Sequence, residues 1–404
     1  MTARRQFLKT LGAAGAAALV PAGSARALAA TDNQRGAVKD ILSYVSIKDV
    51  EVFRLKFDKK TPLTWNAIKK SGGTYPSATY LKITTDQGIV GYAGTKGSAR
   101  DVASFANKIK GLNLLNTEQV WDHMFFHNRK PVAKGKEIHA IGSVDLAVWD
   151  IVGKALNQPV HRILGTYTEQ IPVYAAGGYY ADGKGIRDLV KEMEDYIDEG
   201  YDTVKMKVGY LTPRRDAERV RAVRKALGPD TKIMIDANNG YKSAYEAIRF
   251  GRMVEDLDLY WFEEPVMPYD WRGNHEVKDQ LDIPIVAGEN EYTRFGALDL
   301  LSNDACDIIN MDTIKAGGIT EMRKIAALCS AHHVPVAPHG FAHMNVHVVA
   351  SLSNALILET YPKKARDFNP ALPAFAVTKG KIQAPQAVGL GMEPAADLIK
   401  KYKV

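Results

Sequence analysis

Cysteine is nearly absent from this sequence: two residues, Cys306 and Cys329, stand in 404. A disulfide-stapled scaffold is thereby excluded, and the core must come from packing. Cys306 lies in an apolar strand-like run and Cys329 in a helix-like one, so both are expected as buried free thiols. No stretch approaches the ~18 uninterrupted apolar residues that a membrane-spanning helix needs. With 33 Gly and 18 Pro the chain is not collagen-like, and 46% hydrophobic with 25% charged residues excludes a disordered chain. Acidic residues are missing from the first thirty positions, where Arg4, Arg5, Lys9 and Arg26 supply four of the net +7. Without them the charge is +3, which makes no case for a nucleic-acid partner.

That acid-free terminus has a basic start, Arg4-Arg5-Gln6-Phe7-Leu8-Lys9, then a short apolar run from Leu11 to Val20. Small residues with Ala-x-Ala spacing follow at Ala25-Arg26-Ala27 and Ala27-Leu28-Ala29. This order is that of a secretory signal. The paired arginines resemble the twin-arginine signal of bacteria, so residues 1–30 are expected to export a folded protein to the periplasm, with no membrane anchor afterwards.

Residues 46–97 alternate like strands, as in Asp49-Val50-Glu51-Val52-Phe53-Arg54-Leu55, and a polar, aromatic loop at 59–75 interrupts them. Helix-period segments follow to about residue 164. Residues 46–165 therefore form an α+β unit. From Pro172 onward short apolar strands alternate with amphipathic helices such as 186–199 and 213–227, a pattern that predicts a parallel sheet. The strands are expected to begin at Pro172 and to run over 203–208, 232–238, 259–264, 283–289, 308–312, 334–339 and 356–359. Eight strands in residues 171–365 make an α/β fold of the (β/α)8-barrel type, with its active site at the strands' carboxyl ends.

Those ends are marked by Lys205 and Lys207, Asp236, Glu263, Glu289, Asp312, His339 and Glu359. From Lys207 onward they stand 20 to 29 residues apart, one strand-helix unit each, so each strand delivers one group to the same mouth. Asp236, Glu263 and Glu289 come from adjacent strands, and three converging carboxylates call for a hard cation with oxygen ligands. Mg2+ fits best, and the lack of Cys or His among the three argues against zinc. Lys205 and Lys207 point to one side of their strand, into the lumen. Beside a metal their like charges should depress a lysine pKa and produce a base. Asp312 beside His339 makes a second acid/base group across the barrel.

In these residues the sequence resembles the mandelate racemase subgroup of the enolase superfamily. The resemblance rests on Ala140-Ile141-Gly142-Ser143-Val144-Asp145-Leu146-Ala147-Val148-Trp149-Asp150 with Gly153-Lys154, and on Val204-Lys205-Met206-Lys207, Asp236-Ala237-Asn238 and Trp261-Phe262-Glu263-Glu264-Pro265. Gly288-Glu289-Asn290, Asp312-Thr313-Ile314-Lys315-Ala316-Gly317-Gly318 and His339 complete it. It implies that Mg2+ holds a substrate carboxylate while Lys207 removes the α-proton and Lys205 partners the carboxylate. The Asp312-His339 pair would serve the opposite face, and Glu359 would hydrogen-bond the enolate or the substrate carboxylate. Asn238 and Glu264 would support metal and substrate.

The family frame further implies that residues 46–165 cap the barrel, with the loop 59–75 closing over the site and residues 366–404 returning to the cap. Expected partners are a small carboxylate substrate and further copies of this chain. Dehydration of an acid sugar to a 2-keto-3-deoxy acid is the preferred outcome, with racemisation or epimerisation of a 2-hydroxy acid as the alternative. Aldonic or uronic acids met before uptake would suit an exported enzyme.

A non-catalytic periplasmic binding protein on the same fold would lack these acid/base groups. A zinc site built on His339, His343 and His347 lacks an acidic partner, and the last two are expected to line or flank the mouth. His332 and His333 read as the polar end of a helix. Lys69 and Lys70 are expected to be solvated rather than to bind substrate.

Overall fold

The computed structural model describes residues 44–127, 133–363, 368–371 and 375–404. The export signal at 1–30 lies outside the described residues, as does part of the segment that returns to the cap. Strands β1 (Ile47–Lys56), β4 (Ser77–Thr85) and β5 (Val90–Gly94) form an antiparallel sheet in that spatial order, and the loop between β1 and β4 folds into a two-stranded hairpin of β2 (Thr64–Trp65) and β3 (Lys70–Ser71). Helices Ala99–Lys108, Thr117–Phe125 and Lys136–Ala155 pack beside the sheet. Fifteen of the twenty residues in the last of these are buried, the mark of a helix enclosed on all sides rather than one facing water.

The parallel strands are β6 (Gln170–Ala176), β7 (Thr203–Lys207), β8 (Lys232–Asp236), β9 (Trp261–Glu263), β10 (Ile285–Ala287), β11 (Ile308–Ile309) and β12 (Leu358–Thr360). They are joined in sequence order from β6 to β11, and β12 pairs with β6. Seven strands stand where eight were expected. The predicted strand at 334–339 is reduced to single bridges from Val336 to Ile309 and to Ala355, which close the ring. Pro335 and Pro338 flank the bridge and carry no amide hydrogen, so a ladder cannot extend along this segment.

Several strands are also shorter than expected, because the chain turns into left-handed backbone at the mouth. Asn238 (φ 43°), Asn239 (φ 60°) and Gly288 (φ 132°) end β8 and β10. Glu264 (φ 45°) ends β9, a conformation that a side chain without local hydrogen bonding to the backbone rarely adopts.

The helix Lys136–Ala155 joins the small sheet to the barrel, which accounts for the residue types of its motif. Asp145 accepts from the Thr320 amide (3.0 Å) and hydroxyl (2.6 Å), and Trp149 Nε1 donates to the same hydroxyl (2.9 Å). One buried carboxylate thus caps the barrel helix Ile319–Ala331. Asp150 accepts from the Tyr92 amide (2.8 Å) of β5 and from the Leu390 amide (2.7 Å) of the carboxyl-terminal segment. That segment adds β13 (Lys381–Gln383) antiparallel to the start of β6, then lays helix Ala396–Tyr402 on β1, where Leu398, Ile399 and Tyr402 pack against Phe53, Leu55 and Phe57.

Cys306 and Cys329 are buried and free, as expected. His347 does not line the mouth: it is fully buried, with Nε2 3.0 Å from the Leu390 carbonyl and Nδ1 accepting from the His161 amide at 3.3 Å. His332 and His333 are exposed at a helix end, and among the described residues no helix is long and apolar enough to cross a membrane.

Gly142 lies where the helix touches the turn after Asp312, and a β-carbon there would stand 2.2 Å from the Ile314 carbonyl oxygen. Backbone cannot yield as a flexible side chain would. Gly142→Ala is therefore expected to cost about 1–3 kcal/mol of stability in denaturant unfolding.

Candidate active site

The lysines and acids named from the sequence meet at the carboxyl end of the barrel. Parallel register sets Lys207 beside Asp236 and Asp236 beside Glu263, and alternation along β7 sends Lys205 and Lys207 to the same side. Lys205 Nζ donates to Glu263 Oε2 at 2.7 Å and lies 3.6 Å from Asp236 and 3.7 Å from Glu359. Lys207 Nζ donates to Asp236 Oδ2 at 2.5 Å. Lys205, Asp236 and Glu263 are all no more than 1% exposed.

Burial disfavours every one of these charges, and position decides which survive. Glu263 is pushed up to about 7 by burial, although Lys205 opposes the shift. In Asp236 burial is outweighed by the two ammonium groups, and its carboxyl is held below the usual range. Glu359 falls to about 2, with Lys205 and His339 overcoming its burial. The expected depression of a lysine pKa is not found. Burial does push Lys207 down, but the charge of Asp236 outweighs it and the ammonium is raised; Lys205 is raised by Glu263 and Glu359 in the same way. Attraction to carboxylates at contact exceeds repulsion between the two lysines.

His339 stands on the other side of the trio. Its Nε2 is 3.0 Å from Glu289 Oε2 and 3.9 Å from Glu359 Oε2, and its Nδ1 is 3.6 Å from Asp312 Oδ2. Burial lowers its pKa, but Glu289 and Glu359 more than offset this and the imidazole is raised. Asp312 is fixed by its other oxygen, which accepts from the Ile314 (3.0 Å) and Lys315 (3.1 Å) amides. Asn238 donates its amide to Asp236 Oδ1 at 2.8 Å, and its own side-chain oxygen is buried without a partner. Glu264 is buried with Asn239 Nδ2 at 2.9 Å and Asn290 Nδ2 at 2.5 Å, and burial together with the surrounding acids raises its carboxyl strongly.

Sequence reasoning missed several neighbours. Asn310 donates to Glu263 Oε1 (3.0 Å) and accepts from the Glu289 amide (2.9 Å); its period-two spacing from Asp312 was the available signal. Lys315 donates to the Glu289 carbonyl at 2.8 Å, and the Tyr174 and Tyr179 rings face Lys205 and Lys207 at 5.2 and 5.0 Å. The loop 59–75 reaches the barrel through Trp65, whose amide donates to the Tyr180 carbonyl at 2.9 Å, and Ala67 meets Gly209 and Gly240 beyond β7 and β8. Lys69 and Lys70 are exposed, and Lys70 lies over the Trp65 ring.

Among the described residues no three His, Cys, Asp or Glu side chains are arranged as they stand to cage an ion. Ammonium groups face two of the acids instead. The donor chemistry nevertheless suits a hard cation: the set is all oxygen, and Glu289 Oε2 is buried with no hydrogen bond, only the 3.0 Å approach of His339 Nε2.

Residues 55–165 match the mandelate racemase / muconate lactonizing enzyme N-terminal domain, and residues 188–398 match the enolase C-terminal domain-like family. The chain belongs to the mandelate racemase/muconate lactonizing enzyme family of the enolase superfamily. As a member it is an enzyme, a magnesium-dependent lyase or racemase. It is 31% identical to an arabinonate dehydratase of Saccharolobus solfataricus over 88% of this chain and 99% of that protein. The solved 3,6-anhydro-D-galactonate cycloisomerase from Zobellia galactanivorans superposes with TM-score 0.78 and 31% identity over 89% of this chain and 99% of its own. A racemase from Streptomyces coelicolor A3(2), solved with bound magnesium, gives TM-score 0.80 at 27% identity over 89% and 100%. Residues 1–21 match the twin-arginine translocation signal, which marks the chain for export to the periplasm.

Lys205→Met removes the ammonium shared by Glu263, Asp236 and Glu359. Their folded-state pKa values should rise above those of the unfolded chain, so stability is present at low pH and lost as pH rises. Denaturant unfolding is expected to show the variant losing stability, relative to the parent, between pH 5 and pH 8.

Proposed function

We propose that the chain removes the α-proton of a hydroxy carboxylic acid to give an enolate, and that the outcome is dehydration of an acid sugar to a 2-keto-3-deoxy acid. One observation carries this reading: Lys207 at Asp236 (2.5 Å) and His339 at Glu289 (3.0 Å) hold two proton-transfer groups against one acidic trio. The dehydratase among its relatives supports the outcome.

Asp236, Glu263 and Glu289 would hold Mg2+, and Asn238 and Glu264 would buttress it. When bound, the ion supplies positive charge for the carboxylate of a substrate that becomes a dianion on losing its α-proton. Lys207 Nζ takes that proton. It must first lose its own, and neutralising Asp236 removes the attraction that retains it, leaving burial to favour the free amine. Lys205 binds the substrate carboxylate, and Glu359, 3.7 Å from its ammonium, orients it. Across the site, His339 Nε2 gives a proton to the departing β-hydroxyl, with Asp312 beside Nδ1 to steady the imidazolium. Residues 46–165 and the carboxyl-terminal segment act as the cap, and the loop 59–75 closes the mouth above β7 and β8.

Two measurements test these assignments. Calorimetric Mg2+ titration should show at least about tenfold weaker binding in Glu289→Gln, and in the parent chain affinity should fall as pH drops through about 7, where Glu263 takes up a proton. Lys207→Ala should abolish α-proton exchange in D2O from one stereochemical face by at least about a hundredfold and spare exchange through His339. Equal loss from both faces with Mg2+ still bound contradicts the assignment.

A further inference from the structure

Beside His339 the mouth opens into a cavity of about 300 Å3, in the size range of small-molecule sites. Much of its wall is apolar, from Phe341 and Met344 at the start of helix Ala342–Ser351 and from Phe375 and Met392 of the carboxyl-terminal segment. Three polar side chains besides His339 interrupt that wall. Tyr361 follows β12, two residues after Glu359, and His343 lies in the first turn of the helix with its ring stacked on Phe375 at 4.5 Å. Asn369 comes from the carboxyl-terminal segment, and its side-chain oxygen is buried with no hydrogen-bond partner. A buried carbonyl oxygen without a donor costs free energy, and a ligand that sets an O–H against it recovers that cost.

An acid sugar that presents its C3 hydroxyl to His339 continues from there with C4 onward, into the space beside the imidazole. Each of those carbons bears a hydroxyl and at least one hydrogen. The chain can turn its C–H edge to the aromatic rings and methionines and its hydroxyls to Asn369, Tyr361 and His343, the usual division of a small-molecule site. A second carboxylate at the far end fits poorly, because it has no proton to give an amide oxygen. No Lys or Arg is among the described residues that line the cavity, and Lys96 of the small domain stands 5.0 Å over the Phe341 ring, its charge set against the aromatic face. Glu289 and Glu359, both beside the same imidazole, would repel such a group. We propose that Asn369 is a specificity-determining residue whose side-chain oxygen accepts from a hydroxyl beyond C3, with Tyr361 and His343 bounding the same seat. The substrate is then an aldonic acid, with one carboxylate and a hydroxylated, uncharged far end. This rests on the proposed dehydration, since His339 at the leaving hydroxyl decides which end of the chain enters the cavity.

Calorimetry on the full Mg2+-loaded protein tests this with gluconate, galactonate and mannonate. Each is compared with 2,3-dihydroxyhexanoate of the same configuration at C2 and C3, which lacks the remote hydroxyls, and with the aldaric acid of the same configuration, which ends in a second carboxylate. The tightest of the three aldonates is expected to bind at least about tenfold better than both of its counterparts. Asn369 is partly exposed, so its substitution leaves the core intact. Asn369→Leu should reduce the advantage over the dihydroxy acid to less than about threefold, while Asn369→Asp, which retains an acceptor oxygen, should keep it. Equal or tighter binding of the dihydroxy acid, or an unchanged ratio in Asn369→Leu, overturns the hydroxyl seat. Loss of the ratio in Asn369→Asp as well overturns the acceptor role, and equal or tighter binding of the aldaric acid overturns the uncharged far end. Exchange of the α-proton in D2O is followed in parallel. A preference without exchange of any acid supports the hydroxyl seat and overturns proton abstraction. Exchange without a preference overturns the seat alone, and neither exchange nor preference overturns both.

Discussion

Five acidic side chains, Asp236, Glu263, Glu264, Glu289 and Glu359, gather at one end of the barrel, each no more than 9% exposed. Such a group of carboxylates repels itself and resists leaving water, and it persists only if cations or protons share the space. Lys205 and Lys207 carry that load for Asp236, Glu263 and Glu359, His339 faces Glu289, and Glu264 accepts from Asn239 and Asn290 while burial raises its carboxyl. A divalent ion would redistribute the same interactions. The demand of these carboxylates for positive charge holds the lysines charged and makes the pocket receptive to Mg2+.

The same economy of partners joins the two domains. Helix Lys136–Ala155 is anchored at Thr320 by Asp145 and Trp149, and at β5 and the carboxyl-terminal segment by Asp150. Gly142 leaves room for the turn that carries Ile314, two residues beyond Asp312. The contact that docks the small domain therefore also bears on the position of the carboxylate beside His339.

Charge and apolar surface divide the mouth between them. On the β7 to β9 side the groups at the mouth are ionic, with the Tyr174 and Tyr179 rings against the lysines, while beyond His339 the wall turns to Phe341, Met344 and Met392.

Much of this was legible in the amino-acid order. Lys205, Lys207, Asp236, Glu263, Glu289, Asp312, His339 and Glu359 recur at the length of one strand-helix unit, and a barrel converts that period into a ring of groups at one mouth. The helices at 186–199 and 213–227 were equally plain, because amphipathic period is a local property. Three things were not. Whether a lysine is held charged depends on distances between strands, so the sign of the Lys207 shift reversed once Asp236 stood at contact. The seventh strand contracted because two prolines removed its donors. The cavity beside His339 has no sequence pattern, since Phe375 and Met392 reach it from a segment that follows the barrel. Local chemistry and period thus settled which groups the barrel presents, whereas their charge states and the apolar wall beside them arise from contacts between residues far apart in the chain, which only packing in three dimensions creates.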